Sequence, residues 1–117
     1  MRPMFIVASA VLLLLRVGAA KAADPAQLAD TGGFLLGNAH RCGVPAKRVG
    51  HAEKVIYDMI ATISRDQTEQ AAADRRYVKM FAATAFPDRA ISLVPPCATV
   101  IAQFERLERH HRQSGVD

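Results

Sequence analysis

The side chains best suited to covalent chemistry in this chain are its two cysteines, Cys42 and Cys97. One pair allows a single intramolecular connectivity, and Cys42 closes the first predicted helix while Cys97 opens the last. We therefore predict a disulfide, which encloses roughly 56 residues and stabilises the fold by ~4 kcal/mol in the chain-entropy model. A redox-active or metal-binding thiol pair is the alternative. It is disfavoured because no Cys-x-x-Cys motif is present to favour a thiolate.

The four histidines are the next candidates, as metal ligands. His40 lies two residues before Cys42, so the two side chains point to different sides of a helix. His110 and His111 are adjacent and diverge by ~100°, and His51 is expected on the surface. Helical zinc sites typically use His-x-x-x-His spacing. We therefore predict no metal site and interpret the helix-end histidines as cations that favour the helix dipole.

The sequence gives little support for other kinds of catalytic site. Ser64, Ser92 and Ser114 do not stand in a Gly-x-Ser-x-Gly motif. No glycine-rich loop precedes a helix to bind phosphate, and the acidic residues are scattered singly among basic ones. The sequence therefore nominates no catalytic residue and no cofactor, and it favours a non-enzymatic protein. A small hydrolase or metal-binding protein stays open as an alternative.

The most basic local cluster consists of Arg65, Arg75, Arg76 and Lys79. Acidic residues are interleaved with it, so one interpretation is a solvated helix face. The other is an electrostatic contact surface for an acidic partner or an anionic membrane. We retain these four residues as a possible interaction patch.

Residues 1–22 have the features of a secretory signal peptide. Arg2 provides a positive start, residues 5–15 are uncharged and mostly apolar, and Ala20-Lys21-Ala22 is a small-x-small cleavage site. The apolar run is shorter than the ~20 residues that cross a bilayer, which argues against an uncleaved anchor helix. We expect a periplasmic or secreted protein that begins at Ala23, without stable membrane insertion after cleavage.

Removal of this segment changes the charge balance. The whole chain has 15 Lys and Arg against 11 Asp and Glu, and three of the basic residues lie in the signal, so 12 against 11 leave a net charge of +1. Nucleic-acid-binding domains usually present a basic stripe, so we predict no nucleic-acid partner. A chain this short forms one domain, expected over residues 23–113 with a frayed tail over 114–117.

The first of four predicted helices follows Asp24-Pro25, an N-cap with proline in the first turn. Gly43 and Pro45 end it. The Gly32-Gly33 pair is unfavourable inside a helix, because each glycine costs ~1 kcal/mol relative to alanine. We predict a break or kink there, with close approach of another helix as the alternative. The predicted apolar face holds Leu28, Gly32, Leu35, Ala39 and Cys42.

The other three helices are predicted over residues 46–64, over 66–85, and from Pro95-Pro96 to about 113. Asp66 followed by Glu69 resembles a capping box at the start of the third. Apolar residues recur at helical spacing along each of them. These residues are Val49, Ala52, Ile56, Met59 and Ile63; Ala71, Tyr77, Val78, Phe81, Ala82 and Ala85; and Cys97, Val100, Phe104, Leu107 and His111.

The segment 86–96 is predicted to connect the last two helices and to lie against the core, because Ile91, Leu93 and Val94 are apolar. The aromatic residues interpreted as core, rather than as a ligand cage, are Tyr77, Phe81, Phe86 and Phe104. No alternating apolar pattern typical of a strand follows the signal. The predicted fold class is therefore all-α, a small bundle of three or four helices joined by one disulfide.

In outline, a small exported helical chain with one long-range disulfide resembles the periplasmic acid-stress chaperones of the HdeA type. The resemblance is one of architecture alone and carries over no functional residue. It implies a stress chaperone that exposes its core when conditions change, which we keep as an alternative. The leading hypothesis is a non-enzymatic module of unknown partner that binds another protein, or a second copy of itself, through a helical face.

Overall fold

The computed structural model describes residues 24–87 and 94–115, with side chains described as far as residue 112. Within those ranges the chain forms four helices and no strand: α1 (Pro25–Arg41), α2 (Ala46–Ile63), α3 (Gln67–Ala85) and α4 (Cys97–Gly115). The predicted all-α fold class is confirmed. No helix in these ranges is both long and apolar enough to cross a membrane. The predicted signal, residues 1–22, lies outside the described part, as do Ile91 and Leu93.

Aspartates begin two of the helices, as predicted. Asp24 accepts a hydrogen bond from the backbone N–H of Ala26 at 3.1 Å, and Asp66 accepts one from that of Glu69 at 2.8 Å. The Glu69 carboxylate accepts in turn from the backbone N–H of Arg65 at 2.8 Å. That donor lies one residue before the position that a capping box uses, so the reciprocal cap is shifted by one residue.

Helix α1 ends in a Schellman motif. The N–H of Gly43 binds the carbonyl oxygen of His40, and the N–H of Val44 binds that of Ala39, which are the two bonds of this motif. Gly43 has a φ of +88°, a left-handed conformation that costs glycine little. The helix therefore stops where its sequence predicts.

Helix α1 continues without interruption through the Gly32-Gly33 pair, so the predicted break is wrong. A Cβ atom added to Gly33 would lie 2.7 Å from the carbonyl oxygen of Tyr77, and one added to Gly37 would lie 2.6 Å from that of Phe81. Both carbonyls belong to the α3 backbone. The alternative expectation is confirmed: the glycines let another helix approach closely, and the packing gained offsets their cost in helix propensity.

The buried face of α1 differs from the predicted one. Leu36 and Ala29 are fully buried, whereas Leu35 and Leu28 are only partly buried. Gly32 and Ala39 are buried as predicted, so the prediction is wrong for the two leucines, whose neighbours are buried more fully. The reason is that α3 packs on the side of α1 that the glycines leave open, which turns the neighbouring residues toward the centre of the bundle.

Helix α2 buries the first three residues of its predicted face, but then Ile60 is buried in place of Met59. Met59 is 43% exposed, and Ile63 is half-buried. The core assignment of Met59 is therefore wrong. These two side chains instead face a groove toward α4.

Helix α4 packs through Val100 and Phe104, which are buried as predicted. Cys42 and Cys97 form the predicted disulfide, with their Cα atoms 5.4 Å apart. The bond joins the C-terminal end of α1 to the first residue of α4. Helix α4 continues to Gly115, into the segment predicted as a tail.

The described ends of the 86–96 connector depart from prediction. Phe86 is 69% exposed and Val94 is 42% exposed, so neither belongs to the core. Phe86 instead lies edge-on to His40, with ring centroids 5.5 Å apart. The other three aromatic residues predicted for the core are buried or partly buried.

Candidate functional site

Two members of the predicted basic patch are ion-paired. Arg65 pairs with Glu69 at 3.1 Å, and the backbone N–H and guanidinium of Arg65 lower the pKa of Glu69. Arg76 of α3 pairs with Asp30 of α1. These contacts hold local structure together and leave less positive charge for a partner.

The remaining two members, Arg75 and Lys79, are exposed on α3. Residues four apart lie on one side of a helix, and Val78 beside them is 56% exposed. More than two helical turns separate this pair from Arg65, so the structure does not bring the four residues into one cluster. A contact surface at Arg75 and Lys79 stays a prediction.

The tertiary structure brings two histidines together that are distant in sequence. His51 of α2 and His111 of α4 have ring centroids 6.0 Å apart, and His110 lines the same groove. His40 lies elsewhere, against two phenylalanines. Among the described residues, no three His, Cys, Asp or Glu side chains come together in a group that could hold a metal ion.

A groove lies between α2 and α4. Its floor is apolar and consists of Val55, Met59 and Ile63 from α2 with Leu107 from α4. The three α2 residues are spaced by four, so they form one ridge along the helix. The groove comprises two adjoining hollows of about 210 and 500 Å³. The floor of the groove therefore presents large apolar side chains to solvent.

One end of the groove is held by Arg48 of α2. Its Nε donates a 3.1 Å hydrogen bond to Glu108 of α4, and its guanidinium carbon lies 5.5 Å from the centre of the Phe104 ring. The bond from Arg48 lowers the pKa of Glu108. These contacts position α4 beside α2 and neutralise the Glu108 charge.

Basic side chains outnumber acidic ones around the groove. The basic ones that carry a full charge are Lys54 and Arg112, together with Arg48 at one end of the groove. The acidic ones are Asp58 and Glu108, and Glu108 is already paired with Arg48. An acidic ligand therefore meets a favourable potential here.

A second polar contact joins α2 to α3 inside the bundle. Tyr77 donates a hydrogen bond to Glu53 Oε2 at 2.9 Å, and its ring packs edge-on against Tyr57 with centroids 5.0 Å apart. Burial and the bond to Glu53 raise the pKa of Tyr77 far above its ordinary value. Burial also raises the pKa of Tyr57. Because Tyr77 is buried, we assign this cluster to stability.

Arg41 binds groups at both ends of the disulfide cross-link, in α1 and at the start of α4. Its Nη1 donates to Cys97 Sγ at 3.6 Å, its Nη2 to the Pro95 carbonyl at 2.9 Å, and its Nε to Asn38 Oδ1 at 3.1 Å. Asn38 is buried and donates to the Phe34 carbonyl at 2.8 Å. The guanidinium is therefore held in one place against the sulfur.

Sequence reasoning missed the groove between α2 and α4 and the contact of Arg41 with the disulfide. The groove was missed because Met59 and Ile63 were assigned to the core. A signal was present, since α2 carries two apolar rows and only one can face a bundle of this size. Arg41 was missed because it is adjacent to Cys42 in sequence but bonds to Cys97, which is distant.

No family model, curated protein or solved structure matches this chain.

Proposed function

We propose that the protein is an exported, non-enzymatic module that binds another protein through the groove between α2 and α4. The occupant is an amphipathic helix of the partner, with apolar residues on one face and acidic residues beside them. The observation that carries the proposal is the apolar floor of Val55, Met59, Ile63 and Leu107. Recognition of a helix by an apolar groove uses this kind of surface.

The length of the groove suits a short helix. From His51 to Ile63, α2 rises ~18 Å at 1.5 Å per residue, which is the length of a helix of about twelve residues. Such a helix places anchors at positions i, i+4 and i+7 on one side. This spacing is similar to that of Val55, Met59 and Ile63, the α2 residues of the groove floor.

The charge of the groove favours an acidic partner over a second copy of this chain. In a symmetric dimer the same patch meets itself, so the excess positive charge of the groove would be present on both sides of the interface. Like charges brought together at an interface are unfavourable. An acidic helix instead places its charges against these basic residues.

The disulfide supports the exported location. Disulfides persist in oxidising compartments such as the periplasm or the exterior of the cell, and Cys42 and Cys97 are bonded. Residues 1–22 are the signal peptide in this proposal. The alternative, a chaperone of HdeA-like outline, would bind many unfolded chains rather than one acidic helix, and the experiment below separates the two.

In-cell photo-cross-linking tests the proposal. A photoreactive amino acid replaces Met59 in the full chain, exported with its own N-terminal segment. The matched control carries it at Val78, which is also apolar and exposed but lies on α3, beside Arg75 and Lys79 of the predicted basic patch. We expect adducts from position 59, located by mass spectrometry in an acid-flanked helical segment of one partner. The double variant Lys54→Glu with Arg112→Glu should lose most of this adduct.

Each other outcome overturns the groove proposal in a recognisable way. Adducts from position 78 alone would favour the Arg75 and Lys79 surface. Adducts between two copies of the chain would indicate self-association. Adducts with many unrelated proteins would favour the chaperone alternative.

A further inference from the structure

The guanidinium of Arg41 contacts a sulfur of the disulfide. Among the described residues, no acidic side chain forms an ion pair with Arg41. Its three hydrogen-bond acceptors are an amide oxygen, a carbonyl oxygen and the Cys97 sulfur, all of them uncharged. The ion pairs of the described residues involve other arginines. Within the described ranges, no carboxylate lies at ion-pairing distance from Arg41 to compete with the sulfur for its charge.

The two cysteines differ in their electrostatic environments. Cys97 contacts Arg41 and is the first residue of α4, where a helix carries partial positive charge. Cys42 is the C-cap of α1, where the partial charge is negative. A nearby arginine and a helix N-terminus both favour a thiolate. Cys97 is therefore the better leaving group of the two when the disulfide is attacked.

We propose that the Cys42–Cys97 disulfide is an exchange site for a low-molecular-weight thiol of the glutathione class. The thiolate of the small molecule attacks Cys42 Sγ and forms a new S–S bond with it. The bond between Cys42 and Cys97 breaks, and its electron pair stays on Cys97 as a thiolate beside Arg41. Attack by that thiolate on the mixed disulfide reverses the step and releases the small thiol.

The disulfide is not sealed inside the bundle. Both cysteines are half-buried, with Cys42 packed against the edge of the core, and Gly43 beside Cys42 is exposed. The step exchanges one disulfide for another, so no further oxidant or reductant is needed. The inference is independent of the α2–α4 groove, and it stands or falls separately from the proposed partner.

The test treats the native, oxidised protein with reduced glutathione at neutral pH, quenches with acid and maps the products by peptide mass spectrometry. We expect the glutathione adduct on Cys42. Replacement of the charge in Arg41→Gln should slow adduct formation about five- to tenfold, because the leaving thiolate loses its stabilising partner. Arg41→Lys keeps the charge and should react at close to the wild-type rate.

The direction in which Arg41→Gln changes the reaction rate distinguishes an electrostatic role of Arg41 from a packing role. A purely structural role for Arg41 would make Arg41→Gln react faster, since loss of the bonds to Pro95 and Asn38 would loosen the start of α4 and expose the sulfur. Arg106→Gln is the matched control, because it removes an exposed arginine of α4 away from the disulfide. We expect it to react no more slowly than the wild type.

A second measurement follows Cys97 directly in the reduced Cys42→Ser variant. The pH midpoint for alkylation of Cys97 by iodoacetamide should be lower with Arg41 present than with Arg41→Gln. Equal midpoints would overturn the proposal. So would an adduct on Cys97, or a rate in Arg41→Gln that equals or exceeds the wild-type rate.

Discussion

Tyr77 lies between two helices and contacts each through a different atom. Its hydroxyl donates a 2.9 Å hydrogen bond to Glu53 of α2, while its carbonyl oxygen occupies the space that a Cβ of Gly33 in α1 would need. Through its hydroxyl and its backbone carbonyl, Tyr77 therefore takes part in the packing of α3 against both α1 and α2. This relationship makes Tyr77 and the glycines of α1 the sharpest places to test the fold.

Removal of the Tyr77 hydroxyl should destabilise the protein. We expect Tyr77→Phe to lower the free energy of unfolding by ~1 kcal/mol, the usual value of one hydrogen bond. Urea denaturation near neutral pH measures it. Tyr57→Phe is the matched control, because the ring of Tyr57 packs against Tyr77 while the Glu53 bond is retained. A Tyr77→Phe protein no less stable than this control would contradict the prediction.

Alkaline pH should destabilise the fold through the same side chain. The pKa of Tyr77 is raised by burial and by Glu53, whereas an unfolded tyrosine ionises near pH 10. The favourable contribution is therefore complete below about pH 10 and is lost as the pH rises through the folded pKa. In Tyr57→Phe, tyrosinate absorbance should develop at higher pH in native protein than in urea. Coincident titration curves would argue against a buried, bonded hydroxyl.

Two glycine substitutions in neighbouring helices should act in opposite directions. Gly37→Ala places a methyl group against the α3 backbone and should cost ~1–3 kcal/mol, as overpacking does. Gly50→Ala in α2 meets open space and should stabilise by ~0.5–1 kcal/mol through helix propensity. Thermal unfolding compares the two variants. If Gly37→Ala were as stable as Gly50→Ala, the close approach of α1 and α3 would be refuted.

Loss of the disulfide should lower stability substantially. Replacement of Cys42 and Cys97 by alanine removes the cross-link between α1 and α4 and should cost ~2–5 kcal/mol. Denaturant titration of the double variant against the oxidised wild type measures this cost. Ellman's reagent should find no free thiol in the native protein before reduction, and two titratable thiols there would contradict the cross-link.

Acid should weaken the contact that holds one end of the groove. The hydrogen bond from Arg48 lowers the pKa of Glu108, and the unfolded carboxyl titrates near pH 4.3. The contribution is present above that pH and is lost as the pH falls through the folded pKa. Glu108→Gln should be slightly less stable than the wild type near neutrality, and the difference should vanish in strong acid. A difference in stability that stays unchanged in strong acid would contradict the prediction.

The ends of the helices could be predicted because their signals are local. Asp24 and Asp66 bind backbone groups within three residues, and Gly43 closes a turn made by its immediate neighbours. These contacts form in any fold that contains the helix. The two cysteines likewise left only one possible internal pairing, whatever the packing.

What the sequence by itself determined was therefore the all-α class, the boundaries of the first three helices and the cross-link. The tertiary structure alone decided that Gly33 and Gly37 mark a close approach, that Leu36 is buried in preference to Leu35, and that Met59 faces a groove. It also placed Arg41 against Cys97, which lies 56 residues away. The physical reason is that helical periodicity shows that an apolar face exists, whereas the partner helix decides which residues on that face become buried.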